Sequence, residues 1–105
     1  MVKMGIGTNT ENPDAGEIKG RQEDIACYVW FTASGRIMPK MVKYIDREGM
    51  YQQLEHITVL HQEHKFYCGI ETIEFECETY SGNRLVTFSL HYYKERNEWK
   101  IIWKD

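Results

Sequence analysis

No stretch of this chain stays apolar for anything near the roughly 20 residues that a membrane-spanning helix needs. Its first residues, MVKMGIGTNTENPDAGEIKG, also lack the apolar segment of a secretory leader. The expectation from both absences is a cytoplasmic protein without membrane contact. Cysteine is scarce and odd in number, at Cys27, Cys68 and Cys77. An odd set leaves at least one thiol unpaired, and in a reducing compartment all three read as free, mostly buried thiols. Positive charge is not in excess: Lys and Arg number 13 against 16 Asp and Glu, a formal net charge of -3. That balance argues against nucleic acid, which wants a basic face, and against anionic membranes.

What is present is a core. The chain is 42% hydrophobic and 13% aromatic over 105 residues, enough to bury one compact domain and too short for two. Residues 1–22 hold glycines, a proline and polar residues without apolar periodicity, and read as a flexible tail. Residues 23–105 read as the single domain. From residue 24 onward short β-branched and aromatic runs alternate with turn residues, predicting six strands: 24–32, 36–45, 50–60, 71–80, 84–93 and 99–103. The short connections predict antiparallel pairing.

One hairpin can be set out residue by residue. With Gly82 and Asn83 at its turn, Thr79 faces Val86, Cys77 faces Phe88, Phe75 faces Leu90 and Ile73 faces Tyr92. The other side pairs Glu78 with Thr87, Glu76 with Ser89 and Glu74 with His91. One face is then apolar and the other polar along both strands, and a one-residue slip would mix them. The first strand is apolar on both sides, which predicts a curled sheet or a partner chain over one face. The expected fold is all-β: a strongly bent antiparallel meander of about six strands closing into a small barrel.

Gly35, Arg36, Ile37 and Pro39, then Tyr44, Asp46, Gly49, Ile57, Gly69, Phe75, Cys77, Tyr92 and Trp99, follow a recurrent pattern. In these residues the chain resembles a small family of uncharacterised all-β domains from clostridia and related Firmicutes, over residues 35–102. The resemblance implies a compact bacterial domain and brings no catalytic residue with it. The chain departs from the pattern at Lys40, where an apolar residue is usual. It departs again at 61–68, which is rich in histidine here.

Four constellations carry chemistry. His61, His64 and Cys68 offer three zinc-type donors, with Cys27, Cys77, His56 or His91 as a distant fourth. No Cys-x-x-Cys or His-x-x-x-His spacing supports them, and strand surface and loop are the plainer assignment. Glu74, Glu76 and Glu78 form a carboxylate stripe, which suits the wet side of a strand or a docking surface better than acid–base catalysis. Cys27 and Cys77 fall at core positions, where thiols are inert. Tyr28, Trp30 and Trp103 have the composition of a contact patch. No cofactor is implied, and no Ser-His-Asp order or phosphate-binding glycine loop is present. The function expected is a non-enzymatic protein-interaction module, homodimeric in its simplest form, using Tyr28, Trp30, Trp103 and the Glu74, Glu76 and Glu78 stripe. The second reading is a nucleic-acid-binding barrel associated with a mobile element, through Lys40, Lys43 and Arg47. The third is a metal-dependent sensor or enzyme at His61, His64 and Cys68.

Overall fold

The computed structural model describes residues 14–104, and the part of the expected tail at 1–13 lies outside them. The described residues are all-β, in eight strands. These are β1 (Arg21–Asp24), β2 (Ala26–Phe31), β3 (Ile37–Ile45), β4 (Tyr51–Leu54), β5 (Thr58–Tyr67), β6 (Ile70–Ser81), β7 (Arg84–Tyr93) and β8 (Glu98–Trp103). They form two antiparallel sheets, one of five strands ordered β1-β8-β7-β6-β5 and one of three ordered β2-β3-β4. No closed barrel is found among the described residues, so the expected small barrel is replaced by two sheets with open edges.

The β6–β7 hairpin carries the register derived from the sequence, from Ser81 opposite Arg84 to Ile73 opposite Tyr92. Its apolar face becomes the core. Phe75, Phe88, Leu90 and Ile101 are fully buried there against Val42 and Leu54 of the smaller sheet. Trp99 closes one end, stacked on Tyr92 at 4.7 Å and on Phe75 at 5.5 Å between ring centroids. Full burial of each such side chain contributes about 1.5–3 kcal/mol.

Elsewhere the strands differ from expectation. The predicted strand 50–60 divides at His56, whose φ of 53° turns the chain from the small sheet into the large one. Thr79 holds that corner by donating its hydroxyl to the Glu55 carbonyl at 2.5 Å. The predicted loop 61–70 is strand as far as Tyr67. It is followed by a two-residue turn in which Cys68 and Gly69 have φ of 50° and 82°, the positive values that a tight hairpin needs. The predicted first strand also divides, with Asp24 ending β1 in the large sheet and Ala26 starting β2 in the small one.

The chain before β1 packs as an arm along the large sheet. Asp14 accepts hydrogen bonds from the backbone N–H groups of Cys68 at 3.1 Å and Gly69 at 2.5 Å, and Ala15 N–H donates to the Phe66 carbonyl. These bonds hold the Asp14 carboxyl below its ordinary pKa, with the Gly16 N–H bond the largest cause. Gly20 passes so close to β8 that a Cβ there would lie 2.9 Å from the Trp103 carbonyl oxygen, and its φ is 106°.

Candidate functional site

Pleating sorts the small sheet into two faces. Val42, Leu54, Cys27 and Tyr44 turn inward to the core. Their alternates face out: Tyr28 opposite Met41, Trp30 opposite Met38, Lys43 opposite Ala26 and Gln53, and Ile45 opposite Tyr51. On this outer face Tyr28 is 54% exposed, Trp30 53%, Ile45 52% and Tyr51 80%. A bulge between Tyr28 and Val29 leaves Lys40 as the extra residue of β3. Its ammonium sits 4.8 Å from the centroid of the Trp30 ring. The Trp30 indole N–H also points to the Tyr28 hydroxyl, at 3.4 Å.

Strands β2, β3 and β4 contain no aspartate or glutamate, and their charged residues are Lys40 and Lys43. Exposed Glu55 follows β4 directly, while the turn carboxylate Asp46 is tied down. It accepts from the N–H groups of Glu48 and Met50 and from the Gln52 amide at 2.8–3.0 Å. The side chains that these three strands turn outward are therefore aromatic, methionine-bearing and cationic. Such a face suits an apolar partner surface that carries carboxylates.

The expected contact residues separate into two places. Tyr28 and Trp30 lie on this face. Trp103 lies elsewhere, in the packing between the sheets, with its ring 5.1 Å from Tyr44 and its indole N–H donating to Glu23 at 2.6 Å. The Glu74, Glu76 and Glu78 stripe lies on the far side of the large sheet, away from the core. Glu74 is no open docking residue either, since it is buried. Glu76 accepts from Ser89 at 3.0 Å and pairs with Lys104. Of the expected nucleic-acid residues, Lys40 and Lys43 join the outer face. Arg47 does not: it sits in the β3–β4 turn, in a depression shared with Tyr44 and Trp103.

The donors expected for zinc are not brought together. His61 and His64 project to opposite faces of β5, and Cys68 is in the turn beyond it. Each has another partner: His61 has Glu63 at 3.3 Å, His64 has Glu71 at 2.7 Å, and the Cys68 thiol has the Gly16 carbonyl at 3.4 Å. Among the described residues no group of three or more His, Cys, Asp or Glu side chains is arranged to hold a metal ion. Burial pushes the Cys27 and Cys77 thiols up to about 12, so neither is a nucleophile at neutral pH.

The far side of the large sheet holds a buried polar network that sequence reasoning missed. Glu74 accepts from the Tyr67 hydroxyl at 2.8 Å, is bonded to His91 Nε2 at 2.8 Å and pairs with Lys65 at 2.8 Å. The His91 bond is the largest cause holding the Glu74 carboxyl down, to about 2, against the opposing effect of burial. Burial, and then the bond to Glu74, push Tyr67 up to about 12. The Tyr67 and His91 rings stack at 5.1 Å. The visible signal was Glu74 opposite His91. Lys65 and Tyr67 were hidden by the assignment of 61–70 to a loop.

No family model, no curated protein and no solved structure matches this chain. No helix among the described residues is long and apolar enough to cross a membrane.

Proposed function

We propose that this protein is a non-enzymatic interaction module. It docks, through the outer face of its three-stranded sheet, a protein segment that presents carboxylates among apolar side chains. The observation that carries this is Trp30, exposed beside Tyr28 with Lys40 over its ring, on strands that hold no acid. Exposed tryptophan and tyrosine are the side chains that most often dominate binding energy, and flanking cations steer an acidic partner. Ile45, Met38 and Met41 favour protein over nucleic acid, because aliphatic side chains pack against apolar groups and give bases no stacking platform. Pairing this face with its copy in a second molecule would set two cation-bearing strand faces against each other without carboxylates from those strands to complement them. The homodimeric form is therefore the weaker version of the proposal.

The test is selection from a displayed random-peptide library, run in parallel on the wild type and on a Trp30→Ala, Lys40→Glu variant. Enrichment of peptides mixing Asp or Glu with aromatic and aliphatic residues, lost with the variant, supports the reading. No enrichment overturns it. Binding of labelled oligothymidylate that weakens steeply with salt and requires Trp30 would move the assignment to single-stranded nucleic acid.

A further inference from the structure

A second site lies on the opposite side of the molecule. The arm carrying Glu17 and Ile18, the strand residue Gln22 and the floor of the large sheet enclose a cleft of about 410 Å³. That is within the usual range for small-molecule pockets, roughly 300–1,000 Å³. Ile18 and Ile70 give it apolar walls, Tyr67 and Tyr93 aromatic ones, and Arg96 and Lys100 bring cations to it.

Three observations make it more than a surface dent. First, Tyr93 is only 4% exposed and lines the cleft, yet its hydroxyl has no hydrogen-bond partner among the described residues. The ring is buried while the hydroxyl opens to the cleft, so it is a donor left free for a ligand acceptor. Second, the Tyr67 wall is preformed. Its hydroxyl is committed to Glu74 and its ring is stacked on the fully buried His91, so little ordering is left to do on binding. Third, the cations are loosely held. Lys100 pairs with Asp24 at 3.5 Å, and Asp24 is 90% exposed; Arg96 meets Glu98 at 3.8 Å with both side chains about half exposed. Such exposed pairs contribute little and yield to a better-placed anion.

Among the lining residues two cations, Arg96 and Lys100, stand against one carboxylate, Glu17, in an aromatic-walled cleft, and we propose that it binds a small aromatic carboxylate. The anion lies between Lys100, Arg96 and the Tyr93 hydroxyl, and the ring lies against Ile18, Ile70 and Tyr67. This site is independent of the outer face of the small sheet.

The probe is sodium benzoate, with benzyl alcohol as its neutral counterpart, followed by amide chemical shifts of the full chain. The expected result is saturable shifts at Ile18, Ile70 and Lys100 with benzoate and at least about tenfold weaker binding of benzyl alcohol, the scale of one charged hydrogen bond. Lys100→Gln weakens benzoate by a similar factor. Tyr93→Phe, which removes one oxygen and keeps the ring, weakens it several-fold with an otherwise native spectrum. Absence of saturable shifts at these amides overturns the site. So does equal affinity for the two probes, or unchanged affinity in Lys100→Gln.

Discussion

The ammonium of Lys40 lies 4.8 Å from the centroid of the Trp30 ring, on a sheet face that carries no carboxylate from its own strands. A cation over an exposed indole contributes about 0.5–1 kcal/mol. That is small beside what burying a core ring contributes. Trp30 is therefore placed where its energetic value to the fold is low and its value to a partner is high.

Trp30→Ala should accordingly cost about 1 kcal/mol or less in urea unfolding, with an unchanged slope. Phe75→Ala, in the core between the sheets, should cost about 3–5 kcal/mol. A loss at Trp30 as large as that at Phe75 would make Trp30 a structural residue and remove it from the interaction face.

The Glu74 network gives the fold a pH signature. The Glu74 carboxyl is held at about 2 in the folded chain against 4.5 ordinarily. A depressed carboxylate stabilises the fold fully above its unfolded value, and that stability is lost as pH falls through the folded one. Between about pH 4.5 and 2 the unfolding free energy should fall by up to about 3 kcal/mol from this group. In Glu74→Gln the fall over that window should shrink, at the cost of lower stability at neutral pH. Urea titrations of both proteins at pH 5, 4, 3 and 2 measure it.

Gly20 should not accept a side chain. Gly20→Ala brings a Cβ to 2.9 Å from the Trp103 carbonyl oxygen at a φ of 106°. We expect a loss of about 1–3 kcal/mol together with faster amide exchange in β1, which pairs with β8 at the edge of the large sheet among the described residues. Unchanged exchange at Gln22 and Glu23 would contradict the close approach.

The three thiols should separate by burial. In the native protein at neutral pH, Ellman's reagent should titrate Cys68 alone, because Cys27 is half-buried and Cys77 buried, both with thiols pushed up to about 12. All three should react in guanidinium. Fast native reaction of more than one thiol would show that the core opens.

How much of this was legible from residues alone depended on how local the signal was. The β6–β7 hairpin was readable because Gly82-Asn83 fixes the turn and the alternation of Phe75 and Cys77 with Glu74 and Glu76 fixes the register. The β5–β6 hairpin was not, because its turn puts Cys68 at φ 50°, a conformation that cysteine does not advertise. Nor was the corner at His56, which interrupts what reads as one long strand and makes two sheets of a predicted barrel. Trp103 and Trp30, grouped together from composition, end on opposite sides of the small sheet, because Trp103 packs on the inward Tyr44 while Trp30 alternates outward. Lys40 and Trp30 were each visible, but their proximity depends on the bulge at Tyr28 and Val29, a feature with no marker in the local pattern.

The most direct measurement is an amide and indole chemical-shift map of the protein with the strongest acidic peptide selected on it. The predicted result is a contiguous set of shifts at Tyr28, Trp30, Met41 and Lys43, with the Trp30 indole among the largest and the whole set absent in Lys40→Glu. Shifts confined to the glutamate side of the large sheet, around Glu76 and Glu78, with Trp30 unmoved, would contradict it.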